Sequence, residues 1–486
     1  MNGLGMSTAS RKRIFKNTLA LSIPSMLNPV ISFVLVLIIS RYLGVQGLGQ
    51  YSLVLAYLGI FATLAVLGLD HLVVREAAKR PEDIHLLFFN AGLFGTVSSL
   101  VSLLAMNLLI AVMGYEKVVV QAGFICSLSL VASTAIGYME AIFRSVEKAE
   151  YVTFTYLPEN VVRVAVCAVL ILSGYGITAL FTAILGTRIL AAVMMFIFYV
   201  KVLGMPGARL DGRVWRLLAA EAPTFASIAV FSTIHLSLDQ IMLSKLKSVD
   251  AVGIYSAADR LLDICRTTPT AFAAALLPVL TREFLEGVDR LHKLTVDSLR
   301  YLFIGTIPVV VGTALLSDQI ITLIYGVKFE ASIPVLTLHI VSLVPFSMAF
   351  VLAQVLIATN NQRVDLAVNI AAAIINFVLN LMLIPMWGAW GAALATLITI
   401  VIFNQLQYLF IRQRLFRIAF AGLVPKPLVA AGVMACATYV LRDLNVFLNI
   451  GLSAAVYFAV LLAVRGFSAE DTDFLRRLIR DRFPRS

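Results

Sequence analysis

Runs of about twenty apolar residues recur from one end of this chain to the other, and that feature limits what it can fold into. AGLFGTVSSLVSLLAMNLLIAV (91–112) is one of them. Such a run is long enough for an α-helix to cross a hydrocarbon core about 30 Å thick. In lipid the backbone must satisfy its own polar groups, which leaves helices or a closed barrel. Barrel strands read as runs of about ten alternating residues, and the chain contains none. Only 13% of residues are charged and the mean hydropathy is +0.94. A soluble domain carries about 25% charged residues. The expected fold is an all-α polytopic membrane protein.

The runs place spans at 17–39, 50–70, 86–112, 118–140, 152–172, 177–200, 220–243, 252–280, 298–316, 331–357, 365–385, 389–411, 427–441 and 446–464, about 14 transmembrane helices in all. The first run exceeds a signal-peptide core and has no small-residue cleavage pattern after it, so it is read as a retained span. The formal charge of +11 is explained by topology rather than by nucleic acid. With a cytoplasmic N-terminus, 28 of the 38 Lys and Arg residues fall in inside segments and 6 in outside segments. Arg163, Arg188, Arg260 and Arg266 lie within spans. That bias follows the positive-inside rule and puts both termini in the cytoplasm, in a cell inner (plasma) membrane.

Several chemistries find no support. The four cysteines, Cys126, Cys167, Cys265 and Cys436, are scattered in spans without metal-ligand spacing or a disulfide framework, and read as packing residues. The five histidines form no H-x-x-x-H pair, and no phosphate-binding G-x-x-x-x-G-K-[ST] loop is present.

The chain repeats itself. YLGVQGLGQYS (42–52) aligns with LKSVDAVGIYS (246–256), so Gly49 matches Gly253, Tyr51 matches Tyr255 and Ser52 matches Ser256. Six spans separate the copies, so the halves share an orientation and are related about the membrane normal, a layout found in secondary transporters. The expected organisation is an N-terminal six-helix lobe (1–205), a C-terminal six-helix lobe (206–420), and a two-helix appendix with an amphipathic tail (421–486). In the tail, SAEDTDFLRRLIRDRF (468–483) reads as a helix lying on the inner leaflet.

These segments resemble a known family. SRYLGVQGLGQYS (40–52), LGLDHLVVREAAKRPE (67–82), FRSVEKAEYVTF (143–154), LSLDQIMLSKLKSVDAVGIYSAADRL (236–261) and WGAWGAALAT (387–396) are similar to the polysaccharide transporter family, the Wzx-like oligosaccharide flippases of the MATE/MOP superfamily. The resemblance covers essentially the whole chain. It implies fourteen helices, an alternating cavity, and movement of a polyprenyl-pyrophosphate-linked oligosaccharide from the cytoplasmic to the outer leaflet. The chain is then a secondary transporter and not an enzyme. Its partners are the lipid-linked oligosaccharide, membrane lipids and glycan-assembly enzymes, with no nucleic acid.

Charges inside spans mark candidate sites, because each costs about 2.5–3.5 kcal/mol at mid-bilayer and so faces protein or a wet path. In GIYSAADRLLDICR (253–266), Asp259, Asp263 and Arg266 share a helix face, with Arg260 at its edge. This is either a cavity-lining strip or a self-neutralising ladder of Asp263 with Arg260 and Arg266. The equivalent first-half positions, Leu55, Ala56, Gly59 and Ala62, are uncharged. Glu159 and Arg163 are spaced for an intrahelical pair. Arg188 has no carboxylate within four residues, so it needs a partner from another helix, a snorkelling route or an anionic ligand. Arginine suits pyrophosphate, since its planar fork binds phosphate oxygens and stays charged. Asp239, Asn376, Asn380 and Thr396 supply oxygens suited to a hard cation, so the coupling ion is expected there as Na+ or H+, with no other cofactor. His235, one helical turn before Asp239, and His339 read as packing or hydrogen-bonding residues. Pro24, Pro29, Pro223, Pro269 and Pro278 are expected to bend their spans. The rival readings are a multidrug or metabolite cation antiporter, a membrane glycosyltransferase and a transport-dead membrane scaffold.

Overall fold

The computed structural model describes residues 8–466, with side chains outside 8–26 and 227–236. The His235 side chain and the 468–483 helix lie outside these described residues, and of Pro24 only the backbone is described. The described segments are helical, and no strand occurs among them. In chain order the helices are α1 (Thr8–Val66), α2 (Leu69–Lys79), α3 (Ile84–Val112), α4 (Lys117–Ser145), α5 (Glu150–Leu172), α6 (Ile177–Leu203), α7 (Gly212–Leu246) and α8 (Val249–Glu286). They continue with α9 (Val288–Leu315), α10 (Ser317–Ile324), α11 (Ile333–His339), α12 (Leu343–Ala358), α13 (Gln362–Arg414), α14 (Pro425–Val440) and α15 (Val446–Ala463).

Two helices are far longer than one bilayer crossing. α1 runs for 59 residues and α13 for 53. At 1.5 Å per residue each reaches about 80–90 Å, against a core of about 30 Å. Each breaks at one glycine. Gly44 has φ 67° and ψ −161°, and Gly388 has φ 58° and ψ −130°. A side chain would strain both conformations, so glycine is the residue that lets one helix end and the next begin there. Each of α1 and α13 therefore holds two crossings. Val327–Ala358, which runs through α11 and α12, supplies one. With α3 to α6, α8, α9 and α15 this gives twelve crossings among the described residues, and α7 and α14, at the two remaining expected spans, bring the number to about fourteen. α8 continues as helix through Pro269 and Pro278, so the backbone breaks fall at glycines rather than at these prolines.

The chain divides into two compact units. The first comprises Met1–Ala257 with Asn376–Ala392, and the second Ala258–Ile375 with Ala393–Ser486. These boundaries follow packing, whereas 205 and 420 follow the sequence repeat. α7 opens the second repeat yet packs against α1 in the first unit.

In the first unit α2, α3, α4 and α6 share a core that buries Leu72, Tyr138, Phe143, Met195 and Tyr199. The repeat motif lies in a close crossing of α1 and α8. A Cβ built on Gly49 falls 2.1 Å from the Val249 carbonyl oxygen, and one built on Gly253 falls 2.1 Å from the Val45 carbonyl oxygen. The contact is reciprocal, four residues back in each copy, as expected where two related segments cross about an axis. Each repeat keeps glycine because the partner's backbone occupies the space of a side chain.

In the second unit α9 packs with α12, α14 and α15, burying Leu299, Phe303, Leu352, Val355, Met434 and Tyr457. The Tyr457 hydroxyl donates to the Ile304 carbonyl at 2.9 Å, which fixes α15 on α9. Thr438, Asn449 and Ser453 hydrogen-bond to one another between α14 and α15. The outward surface is apolar. Val101, Leu104, Leu108 and Val112 form an exposed stripe on α3, as a lipid-facing helix requires. Cys126 and Cys167 are buried as expected, Cys265 is half-buried, and Cys436 is exposed.

Candidate functional site

Three polar clusters are built into the spans. The first lies in the first unit and centres on Glu159, whose side chain is only 3% exposed. Its Oε2 is 3.0 Å from Arg188 Nη1, and its Oε1 is 3.7 Å from Arg163 Nη1. The intrahelical pair expected for Arg163 is therefore the longer contact, and the partner that Arg188 lacked in sequence comes from α5. Arg188 Nε also donates to Ser133 Oγ on α4 at 2.9 Å, and its guanidinium lies 5.4 Å from the centre of the Tyr156 ring. Tyr156 donates to Glu140, which pairs with Arg144. Arg163 reaches Asn160 and, at 3.4 Å, Ser32 Oγ on α1. Asn160 Nδ2 donates to Asn28 Oδ1 at 3.0 Å. Two arginines thus share one carboxylate, which leaves an excess of one positive charge. Both keep roughly a fifth to a quarter of their side-chain surface exposed, so the excess faces an accessible surface.

The second cluster lies in the second unit and contains the strip on α8. Asp263 pairs with Arg260 at 3.7 Å and with Arg266 at 3.3 Å, so the ladder read from the sequence is formed. Asp259 is drawn into it as well: its Oδ1 is 3.6 Å from Arg266 Nη1 and 3.2 Å from His339 Nε2. The Arg266 guanidinium lies 4.6 Å from the centre of the Phe346 ring on α12. The Nε atoms of Arg260 and Arg266 are buried and make no hydrogen bond among the described residues. A cluster that holds donors without acceptors suits an anion.

The third cluster, in the first unit, gathers Asp239 on α7, Tyr255 on α8, and Asn376 and Asn380 on α13. Asn380 Nδ2 donates to Asp239 Oδ1 at 2.6 Å and to Asn376 Oδ1 at 3.0 Å. The Tyr255 hydroxyl donates to Asp239 Oδ2 at 3.1 Å. Asp239, Asn376 and Asn380 are all buried, and Asn380 Oδ1 has no hydrogen-bond partner among the described residues. Thr396, half-buried on α13, belongs to the second unit.

Sequence spacing brought out the arginines and aspartates but missed Ser32, Ser133, Asn160, Tyr255 and the pairing of His339. Their signals are weak, since each is a common polar residue whose partner lies on another helix. The usable clue was Glu159, a carboxylate in an apolar run with two arginines to choose from.

Long apolar helices, a repeated motif and charge-bearing spans define a polytopic helical membrane protein. Comparison with known proteins supplies the family. Residues 14–284, more than half of the chain, match the family model described as "Polysaccharide biosynthesis protein", and the chain belongs to that family. It is 28% identical over 241 residues to the "Probable flippase AglR" of Haloferax volcanii, covering 47% of this chain and 50% of that one. It is 31% identical over 131 residues to the "Lipid II flippase MurJ" of Bacillus subtilis, covering 26% of this chain and 24% of that one. The matched stretches thus span half or less of these relatives' lengths. The fold is that of a solved lipid II flippase MurJ in an inward closed conformation, with a TM-score of 0.75 at 16% identity over 94% of this chain and 99% of that one. It is shared with an inward-facing multidrug resistance MATE family transporter of the MOP superfamily, with a TM-score of 0.67 at 16% identity over 82% of this chain and 98% of that one.

Proposed function

We propose that this protein is a flippase that carries a polyprenyl-pyrophosphate-linked oligosaccharide from the cytoplasmic to the outer leaflet by alternating access. The observation that carries the reading is Glu159 shared by Arg163 and Arg188, an arrangement with one positive charge in excess inside an apolar fold. A pyrophosphate crossing a bilayer needs fixed counter-charge, and guanidinium groups provide it without titrating. Arg260 and Arg266, with Asp259 and Asp263 tuning their charge, form the second set of anion contacts. A cationic drug would meet like charge at the Arg163–Glu159–Arg188 cluster, which disfavours the multidrug antiporter reading. Family membership and the flippase relatives support the substrate class. The distribution of Lys and Arg supports a plasma-membrane protein with both termini in the cytoplasm.

Asp239, with Asn376 and Asn380, is the proposed coupling-ion site, and Thr396 was grouped with it on sequence grounds. The unpartnered Asn380 Oδ1 beside a buried carboxylate fits a hard cation, which takes oxygen ligands.

The test is flipping of a fluorescent polyprenyl-pyrophosphate oligosaccharide in proteoliposomes, read by quencher accessibility. Arg188→Gln and Arg163→Gln, each checked for folding, should lower the rate at least tenfold. Wild-type rates in both folded variants would remove the reading. Wild-type inactivity on several glycans, with cation-drug efflux in its place, would favour the antiporter.

A further inference from the structure

We propose that His339 and Asp259 form a proton-binding site whose occupancy is linked to anion contact at Arg266. The inference rests on the flippase reading only for its role in transport. The proton site itself stands on the geometry of the second unit.

His339 is 0% exposed and ends α11, where the helix tightens into a short turn, Ile340–Ser342, before α12. Such a change of helical pitch often marks a working position. The His339 Nε2 lies 3.2 Å from Asp259 Oδ1, and Arg266 Nη1 lies 3.6 Å from the same oxygen. One carboxylate oxygen therefore serves two groups, one always cationic and one cationic only when protonated. Histidine is the side chain whose unperturbed pKa, about 6.5, puts that change near physiological pH.

The charges decide the consequence. Asp259 and Asp263 cancel Arg260 and Arg266, so the cluster is neutral with neutral histidine and carries one positive charge with imidazolium. In the neutral form Nε2–H donates to Asp259, and the added proton enters at Nδ1. The imidazolium then competes with Arg266 for Asp259. Arg266, whose Nε is already a buried donor without an acceptor, becomes better able to meet an anion. Linkage makes the effect reciprocal: an anion at Arg266 favours the proton on His339.

The surroundings contain little else that titrates. α8 contributes Asp259, Arg260, Asp263, Arg266 and Cys265. The Tyr325 hydroxyl lies at the end of α10, within electrostatic reach of Arg260 and the two aspartates. Asp318, at the other end of α10, pairs with Arg442. In the turn before α11, Lys328 and Glu330 are exposed. Residues 302–315 of α9 and all of α12 carry no acid, base or histidine.

The test uses full-length protein labelled with 15N-histidine in detergent. The His339 signal is identified by its loss in His339→Gln. It should titrate between pH 5 and 8, and Asp259→Asn should weaken proton binding there at least tenfold. In proteoliposomes, an imposed pH gradient should change the rate of oligosaccharide-lipid flipping several-fold in wild type and by less than about 1.5-fold in His339→Gln, a tenfold change being 1.4 kcal/mol. Absence of titration between pH 5 and 8 overturns the proposal. So does a gradient effect that survives in His339→Gln. If His339→Gln does not fold, His339→Asn takes its place in both measurements. Titration that responds to Asp259→Asn in a wild-type protein that flips no glycan supports the proton site and removes the flippase reading instead.

Discussion

The crossing of α1 and α8 gives a sharp test of the fold. Replacing Gly253 by alanine puts a methyl carbon 2.1 Å from the Val45 carbonyl oxygen. A tolerable C···O contact is about 3.3 Å or more. The helices must therefore separate locally by roughly 1 Å, because the atom in the way is backbone and cannot rotate aside. Overpacking of this kind costs about 1–3 kcal/mol. Gly49→Ala should cost a similar amount, since its Cβ meets the Val249 carbonyl oxygen at the same 2.1 Å. The separation that accommodates one methyl also makes room for the other, so the double variant should cost about as much as either single one. The double-mutant cycle should then report a coupling of about 1–3 kcal/mol. Gly137, on α4, has no neighbour within 4 Å of a built Cβ, so Gly137→Ala should be neutral or stabilising. Thermal unfolding of the purified proteins in one detergent measures all four. Wild-type melting in Gly253→Ala, or strict additivity in the double variant, would refute the backbone-contact account.

Three further outcomes are expected. Glu159→Gln should destabilise more than Arg188→Gln, toward the low end of roughly 3–5 kcal/mol, because it orphans two partly exposed arginines whereas Arg188→Gln leaves the carboxylate paired with Arg163; melting temperatures give the order. Asn380→Asp should melt below wild type without Na+ and recover when Na+ is added, as two carboxylates facing each other repel until a cation binds; equal melting with and without Na+ removes Asp239 as a sodium ligand. Asp211 caps α7: its Oδ1 accepts the Arg213 N–H at 2.8 Å, and hydrogen bonds from the Arg213 guanidinium and then from that N–H hold its carboxyl below the ordinary range. The cap therefore contributes above the unfolded value of about 3.9 and is lost as pH falls through the lowered folded value, so amide-exchange protection at the start of α7 should hold from pH 7 to about 5 and drop below about 4.

Much of this architecture is written in local sequence. Lipid demands long apolar runs and closed backbone hydrogen bonding, and both leave signals that a single run such as 91–112 already carries. The Gly49 and Gly253 copies could be aligned by eye because both answer one backbone contact. The ladder on α8 was also legible, since its members lie three or four residues apart and meet on one helix. Contacts between helices were not. Arg188 with Glu159 and His339 with Asp259 are separated by 29 and 80 residues, and no periodicity connects them. Packing units were equally hidden: Asn376–Ala392 joins the first unit although it lies deep in the second repeat, because contacts rather than chain order set the grouping.

The shared carboxylate of Glu159 has a kinetic consequence. Arginines that already hold an anion of their own bind an incoming phosphate by exchange and not by simple addition. The resident carboxylate, tethered within 3.0 Å of one guanidinium and 3.7 Å of the other, is always at hand to reclaim them. Affinity is given up, and residence time shortens with it. For the proposed flippase, which must surrender its cargo on the far side in every cycle, a built-in competitor shortens the dwell without a separate release step.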